Sequence, residues 1–309
     1  MCLDEVAGRA GLTGTALVTA GDRTWQAGDI DARYVIYSIT KSVIAAAFVL
    51  LAAGGAVDLD ASASSLLGDG RFPVPVRQLL QHTSGLPDYG HSPAYHAAVR
   101  ESPSRPWPDE EFLRRAHARG PLFAPGQGWS YSNNGYLLLR KILDRRGGLA
   151  AFLPALGFTA ATVAEDLPDF SHAVPARSAL IGDGIHPVAG RYHPRWVAHR
   201  TMVTSARQLH RFWSSPPPAL TDPANLVPLG AGTGGLFVHA AYGLGTLADP
   251  RSPIGLIIGH GGGGPGYSTG AFAAPGKAAV AIVLEPAEGL PAQELAVELL
   301  KTAVSCDHP

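Results

Sequence analysis

Cysteine is nearly absent from this chain of 309 residues, and neither sign of charge is in excess. Cys2 and Cys306 are the only two, which excludes a cysteine-ligated zinc site and a disulfide scaffold. Whether these two, at opposite ends of the chain, form a bond stays open, because spacing alone does not establish disulfide geometry. Lysine and arginine together number 24 against 25 aspartate and glutamate residues, which leaves no basic excess for binding phosphates. We therefore expect no nucleic-acid partner.

Long apolar runs and metal motifs are also missing. The longest apolar run covers 43–57, contains a Gly-Gly pair, and is shorter than the roughly 20 residues that a bilayer-spanning helix needs. We therefore expect no membrane partner. Residues 1–14 carry three charged side chains and lack an apolar run, so we expect no secretory signal there. Either the protein is cytoplasmic, which is the location that we predict, or a signal has been removed. The zinc motif H-E-x-x-H is absent, and we expect neither a metal nor any other cofactor.

Glycine and proline are abundant, at 37 and 26 residues, in a lightly charged sequence with enough apolar residues for a large core. The pattern predicts helices over 1–12, 38–53, 76–81, 109–118, 135–146, 205–213 and 290–304. It predicts strands over 15–19, 24–27, 236–242, 254–258, 269–273 and 278–284, and a loop over 87–108. The segment 157–197 is rich in Pro, Gly and His and shows little periodicity. Strands near both ends predict an α+β fold, in which an antiparallel sheet flanked by helices carries an inserted, mostly helical lobe. We assign 1–57 and 214–309 to the sheet domain and 58–213 to the lobe, with an active-site cleft between them.

The glycine-rich stretch 259–266 fits three known motifs incompletely. A dinucleotide fingerprint needs a helix after the glycines, but the prolines and glycines that follow this stretch disfavour a helix. A phosphate-binding loop needs a lysine where Tyr267 stands. A nucleophile elbow at Ser268 needs an acid and a histidine downstream, but the only histidine after it is His308, in the tail. The stretch is better explained as a glycine-rich strand edge beside a pocket.

Ser38 and Lys41 form a stronger signal, because three-residue spacing on a helix puts both side chains on one face. Ser38 at the helix start would cap it, with its hydroxyl near unpaired backbone N–H groups. Lys41 precedes the apolar run, so its amine is expected inside the protein, where burial lowers the pKa of a lysine. A serine beside such a lysine is a nucleophile with its base. The alternative, an ordinary helix cap with an exposed lysine, is not excluded by this pair alone.

Two further segments carry candidate site residues. Tyr131 lies on a tight loop where its hydroxyl could pass protons, and Asn133 could hold a substrate amide through its donor and its acceptor. His260 at a strand edge could assist the tyrosine or bind an anion. The glycines after it, Gly263 among them, allow a substrate to lie against the backbone, where an N–H group can stabilise an oxyanion. Each of these residues also has an ordinary structural explanation when it is considered alone.

Taken in this order, the motifs resemble those of the serine β-lactamase-related family, which includes class C β-lactamases, D,D-carboxypeptidases, D-amino-acid peptidases, esterases and a few acyltransferases. The resemblance covers nearly the whole chain. It rests on the segments 37–41 (YSITK), 79–86 (LLQHTSGL), 123–126 (FAPG), 131–136 (YSNNGY), 242–245 (YGLG) and 259–262 (GHGG). His260 is more typical of the peptidase and esterase branches than of β-lactamases, where Lys-Thr-Gly is usual.

The resemblance implies a β-lactamase/transpeptidase-like fold and acyl transfer through a covalent serine ester, with a small-molecule ester or amide as substrate. Ser38 would attack the carbonyl, and Lys41 together with Tyr131 would move its proton. The backbone N–H groups of Ser38 and Gly263 would stabilise the oxyanion. No metal is required by the family's motifs.

Substrate contacts are implied in the same way: Asn133 would orient the acyl side chain, and His260 would hydrogen-bond Tyr131 or a substrate carboxylate. The chain is short for the family, chiefly over 150–200, which predicts an open site that favours bulky acyl groups. We expect a hydrolase or an acyltransferase. A D-amino-acid peptidase or carboxypeptidase, and a non-catalytic ligand-binding member of the fold, are the alternatives. The oligomeric state stays open.

Overall fold

The computed structural model describes residues 2–230 and 236–305. The helices are α1 (Leu3–Ala10), α2 (Thr40–Ala53), α3 (Ala63–Leu67), α4 (Val76–Leu80), α5 (Pro93–Glu101), α6 (Asp109–Arg119), α7 (Asn133–Asp144), α8 (Ala206–Ser214), α9 (Pro218–Thr221) and α10 (Ala292–Ser305). The strands are β1 (Thr15–Ala20), β2 (Arg23–Ala27), β3 (Arg33–Val35), β4 (Thr162–Ala164), β5 (Arg177–Ser178), β6 (His186–Pro187), β7 (Thr201–Ser205), β8 (Val227–Pro228), β9 (Ala241–Tyr242), β10 (Leu247–Ser252), β11 (Gly255–Gly264), β12 (Tyr267–Ala274) and β13 (Ala279–Glu285). Because Cys306 falls outside the described residues, so does the question of its bond with Cys2.

The largest sheet is antiparallel and has the strand order β2-β1-β13-β12-β11-β10-β9-β8. Its strand β13 has an apolar sequence because both of its faces are buried. Alternate side chains of a strand point to opposite faces. Val283 accordingly packs in the hydrophobic cluster that contains α10, whereas Ile282 packs in the cluster that contains α8. The sheet therefore carries helices on both faces.

The glycine-rich stretch lies inside a long strand, since β11 runs on to Gly264 instead of ending near 258 as predicted. The close packing around β11 explains why glycine occupies these positions. A Cβ added to Gly259 would lie 2.1 Å from the carbonyl oxygen of Ala271 on β12. A Cβ on Gly262 would lie 2.2 Å from the carbonyl oxygen of Ile36. The absence of side chains thus lets β11 approach both β12 and the segment that leads to Ser38.

Other element predictions were wrong in part. The segment 87–108, predicted as a loop, contains α5, which begins with proline at its first position, where the missing N–H costs no hydrogen bond. The strand predicted over 236–242 is limited to Ala241–Tyr242. Strands β7 and β10 were not predicted, because neither has the clear alternation that marks a half-buried strand.

A smaller sheet with the order β3-β7-β4 joins the N-terminal part of the chain to its middle. Strand β3 leads directly into the Ser38 segment. Helix α8 lies within the predicted lobe 58–213 but packs against β1, β12 and β13 of the large sheet, where His210 Nε2 lies 2.8 Å from Thr19 Oγ1. The division into two domains stays a prediction. Across the described parts of the chain, no helix has both the length and the apolar character that crossing a bilayer requires.

Candidate active site

Ser38 lies in a short turn of 3₁₀ helix, Tyr37–Ile39, that precedes α2. The prediction that Ser38 caps this helix was wrong: α2 begins at Thr40, its N-cap is Ile39, and no side chain caps it. Tyr37 has a φ of 42°, in the left-handed region that side-chain-bearing residues rarely adopt. Its buried phenol donates to the carbonyl oxygen of Pro265 at 2.6 Å. This bond, which a smaller residue would lack, holds the turn against the end of β11.

The hydroxyl of Ser38 lies between two polar side chains. Lys41 Nζ is 3.1 Å from Ser38 Oγ, and the Tyr131 hydroxyl donates to Ser38 Oγ at 2.9 Å. Ser38 comes from the 3₁₀ turn and Lys41 from the first turn of α2, whereas Tyr131 comes from the loop before α7. The structure thus brings together the three residues that the sequence proposed as nucleophile, base and proton carrier.

Lys41 is completely buried, although it carries an amine. Its Nζ donates to Asn133 Oδ1 at 2.8 Å and lies 3.0 Å from His199 Nε2. Burial lowers the pKa of Lys41 well below its usual value, because desolvation disfavours the ammonium; the carboxylate of Asp88 opposes this shift. A lysine whose pKa is lowered in this way is better suited to act as a base than an exposed lysine.

Tyr131 is a neutral phenol in this site. Burial raises its pKa above the usual value, while the hydrogen bond with Ser38 acts in the opposite direction. The ring also faces the Lys41 amine, at 4.9 Å from its centroid. A neutral phenol donates its proton to Ser38 Oγ, so Lys41, not Tyr131, is the group able to accept the Ser38 proton in the resting site.

Asn133 has a different contact from the one expected of a substrate-orienting residue. Its side-chain oxygen accepts from Lys41, and its backbone N–H donates to Asp88 Oδ1 at 2.8 Å. Ser132, the N-cap of α7, accepts from the Gly135 N–H and fixes the start of this helix. Asn133 also lines a cavity together with Ser38, so its proposed contact with an acyl group stays a prediction.

His260 forms a hydrogen bond with Tyr242 and not with Tyr131. Its Nε2 lies 2.9 Å from the Tyr242 hydroxyl, and its ring centroid is 6.2 Å from that of Tyr131. Burial lowers the pKa of His260 to about 3. His260 is therefore neutral at ordinary pH, and its proposed bond to a substrate carboxylate stays a prediction.

Gly263 faces open space beside the nucleophile. A Cβ added there would meet nothing within 4 Å, and Gly263 lines both cavities that Ser38 lines. Directly before it, the hydroxyl of Thr269 on β12 donates to the Gly262 carbonyl oxygen at 3.2 Å. The backbone of β11 is thus held beside Ser38, as the proposed oxyanion contact of Gly263 needs.

Two cavities meet at Ser38. The smaller has a volume of about 190 Å³, and its walls include Tyr37, Tyr89, Tyr95, Val99, Leu180 and Tyr192. The larger is an open groove of about 1060 Å³, and its walls include Trp129, Leu229, Tyr242, Leu290, Pro291 and Glu294. A carbonyl bound at Ser38 would therefore place one substituent among tyrosines and the other in a wide groove.

Sequence reasoning gave no role to three buried groups of this site. His82, inside the quoted 79–86 motif, accepts from the Ser132 N–H at 3.1 Å and lies 4.3 Å from the Tyr131 ring, between centroids. Asp88 holds the backbone of Asn133, and His199 contacts Lys41. The motif pointed to His82, whereas no pattern in the sequence distinguished the other two. Within the described residues, no group of three or more His, Cys, Asp or Glu side chains is arranged to hold a metal ion.

The chain is similar to several known proteins. The family model described as Beta-lactamase matches residues 3–298. A penicillin-binding protein of Bacillus subtilis (strain 168) is 30% identical over 138 residues, which are 40% of this chain and 29% of that protein. Esterase EstB of Burkholderia gladioli is 34% identical over 141 residues, which are 41% of this chain and 36% of that protein. The matched stretches thus span about a third of these curated relatives' length.

The fold is shared along almost the entire chain with a solved D-stereospecific amidohydrolase from a Streptomyces species. The two structures superpose with a TM-score of 0.81 and 26% sequence identity, over 99% of this chain and 97% of the other. The predicted family resemblance and the predicted β-lactamase/transpeptidase-like α+β fold are both confirmed.

Proposed function

Because the chain belongs to the beta-lactamase family, we propose that it is a serine hydrolase that cleaves a small-molecule ester or amide through an acyl-enzyme on Ser38. One observation supports this above all: the Ser38 hydroxyl lies within hydrogen-bonding distance of both the amine of a buried lysine and the hydroxyl of a tyrosine, at the junction of two cavities. A nucleophile beside a base of lowered pKa is the arrangement that covalent catalysis needs.

The reaction proceeds in two halves. Lys41 takes the Ser38 proton as Ser38 Oγ bonds to the carbonyl carbon, and the backbone N–H groups of Ser38 and Gly263 stabilise the oxyanion. The carbonyl re-forms as the bond to the leaving group breaks, and the leaving group takes the proton from Lys41 through Tyr131. A water molecule then attacks the ester by the same steps and releases the acid. Proton transfer of this kind contributes roughly 10²–10⁴-fold.

The smaller cavity favours an uncharged acyl group of moderate size, in contrast to the bulky acyl group expected from the short segment 150–200. None of its described lining residues is Lys, Arg, Asp or Glu, and tyrosine rings form much of the wall. A charged group would lose its hydration there without a partner. An apolar cavity of about 150 Å³ accommodates a benzene molecule, so a phenyl or short branched alkyl group fits in about 190 Å³. We infer that the acyl group is aromatic or aliphatic and uncharged.

The wide groove supports binding of a large leaving group or of a second substrate. Glu294 is the acidic residue in its described lining, and no Lys or Arg is found there. A carboxypeptidase substrate, with a free carboxylate on the leaving group, lacks a cationic partner in such a groove. Acyl transfer to a bound alcohol or amine is the second candidate, since the groove has room for an acceptor. Cytoplasmic location, and the absence of nucleic-acid, membrane and cofactor partners, stay predictions of the sequence.

We test this proposal with an active-site probe and a series of esters. A fluorophosphonate is expected to add once to the protein, as measured by intact mass, and p-nitrophenyl phenylacetate is expected to be hydrolysed faster than the p-nitrophenyl monoester of glutarate. Added alcohols then report on transfer, because an acceptor that reacts with the acyl-enzyme forms a new ester.

Ser38→Ala and Ser268→Ala are the matched pair for the probe. The adduct should vanish in the first and persist in the second, whose serine lies on β12 and accepts the Leu290 N–H. An adduct that survives Ser38→Ala, or no adduct on the unmodified protein, would show that the assignment of the nucleophile is wrong.

A further inference from the structure

His199 lies where the chain enters β7, beside the amine of Lys41. It is 1% exposed, and its Nε2 is 3.0 Å from Lys41 Nζ. On its other side the ring centroid is 6.2 Å from that of Tyr136. No step of the mechanism above uses this histidine, although it is as close to Lys41 as the nucleophile is.

The number of hydrogen bonds that a neutral Lys41 amine can donate and accept indicates a role for His199. A neutral amine has two N–H donors and one lone pair, and the Lys41 amine has three neighbours: Ser38 Oγ, Asn133 Oδ1 and His199 Nε2. The amide oxygen of Asn133 can only accept. If His199 Nε2 accepts as well, both N–H groups are occupied and the lone pair points at the Ser38 hydroxyl. After Lys41 takes the proton, the ammonium still has three acceptors.

The surroundings keep His199 neutral, as this arrangement requires. Its Nδ1 is buried and has no hydrogen-bond partner among the described residues, so no acceptor there stabilises an imidazolium. The charge of the neighbouring Arg200 is balanced by Glu165, at 2.7 Å. Burial, with the charges around it, lowers the pKa of His199 well below its usual value. The titratable and charged groups around this ring are Lys41 on α2, Tyr136 on α7, His82, His260 on β11, Arg200 and, in the cavity of about 530 Å³ that His199 also lines, Arg140, Asp144 and Glu165.

We propose that His199 is a positioning residue for the general base: its Nε2 accepts one N–H of Lys41 and, with Asn133, directs the amine lone pair at Ser38. A neutral acceptor is essential to this role. A carboxylate in the same place would hold Lys41 as an ammonium, which cannot take a proton from Ser38. The inference rests on the proposed function, because it assigns a role within the same site.

The test compares three substitutions of His199 by the rate at which a fluorophosphonate labels Ser38, measured from pH 5 to 10. His199→Gln keeps an acceptor near the Nε2 position, so Ser38 of this variant should be labelled at a rate within a fewfold of that of the unmodified protein. In His199→Met the new side chain has a similar shape but lacks a strong acceptor, so Ser38 should be labelled about tenfold more slowly. His199→Glu should shift the acidic limb of the labelling profile upwards by about 1–3 pH units, the range expected of a carboxylate beside a base. His210→Gln is the control: His210 is also bonded through Nε2, to Thr19, and should leave the profile unchanged.

The ester assay separates positioning from packing. Loss of the lysine orientation should lower kcat of His199→Met while KM stays within about twofold, whereas a distorted cavity would raise KM. Equal rates and equal pH profiles for the Gln, Met and Glu variants would overturn the inference while leaving the proposed function intact. Absence of labelling in the unmodified protein would instead overturn the proposed function.

A measurement on the unmodified protein covers the case in which the variants do not fold. Histidine labelled with ¹⁵N reports the tautomer of each ring by NMR, and sequence-specific assignment of the unmodified protein identifies the signal of His199. A neutral ring protonated at Nδ1 is expected for His199 at pH 7. An imidazolium, or a neutral ring protonated at Nε2, would overturn the inference, because neither can accept from Lys41.

Discussion

Among single residues, Lys41 shows how burial converts an ordinary side chain into a base. The residue is fully buried, yet its amine contacts only neutral polar atoms, those of Ser38, Asn133 and His199. A carboxylate in direct contact would have restored the ammonium. Asp88, the acid whose charge acts on Lys41, is instead bonded to the backbone N–H of Asn133.

Replacing Lys41 by arginine should remove this chemistry while keeping a long basic side chain. A guanidinium stays protonated in proteins and cannot accept the Ser38 proton. We expect kcat/KM for a p-nitrophenyl ester to fall by roughly 10²–10⁴-fold in Lys41→Arg. Lys277→Arg, on an exposed turn, is the control and should be unaffected. Activity of Lys41→Arg within tenfold of the unmodified protein would mean that another group is the base.

At the scale of elements, the approach of β11 to the Ser38 turn determines the shape of the site. Neighbouring glycines of this strand differ sharply in the space around them. Gly262 lies against the Ile36 carbonyl and the Thr269 hydroxyl, whereas Gly263 faces the cavities. The strand can lie this close to the turn only because Gly262 lacks a side chain.

Two alanine substitutions one residue apart should therefore have different effects. In Gly262→Ala the new Cβ would lie 2.2 Å from a backbone oxygen, so β11 must shift, and we expect a loss of about 1–3 kcal/mol in the free energy of unfolding. Gly263→Ala should change the free energy of unfolding by less than about 0.5 kcal/mol, while its methyl group reduces ester hydrolysis. Urea denaturation followed by circular dichroism measures the difference. Equal stability of the two variants would contradict this account of the strand.

For the molecule as a whole, the polar site is built inside the core, and this has a consequence for stability. His82, His199 and His260 are all buried, and desolvation lowers the pKa of each below its usual value. In the unfolded chain these rings titrate near pH 6.5. Below that pH the unfolded state binds more protons than the folded state, so the free energy of unfolding must fall as the pH falls.

We expect this loss between about pH 6.5 and 4.5, above the range in which most carboxylates titrate. Each buried histidine contributes up to about 1.4 kcal/mol for each pH unit over the interval in which only its unfolded form is protonated. Urea denaturation at a series of pH values measures the slope. His82→Gln should reduce the slope if the variant folds, whereas His172→Gln, at an exposed position, should not. A free energy of unfolding that is constant from pH 7 to 5 would contradict the neutral state of these rings.

The sequence by itself determined the family, the fold class, most of the helices, the strands β1, β2, β12 and β13 with part of β11, and the grouping of Ser38 with Lys41, since these depend on local spacing and on motifs. Only the tertiary structure decided that Ser38 lies in a turn before α2 instead of capping it, because Tyr37 is fixed by a bond to Pro265, 228 residues away. It also decided the partners of His260 and the contact between His199 and Lys41. Contacts between distant segments follow from packing in three dimensions, for which one sequence carries no local pattern.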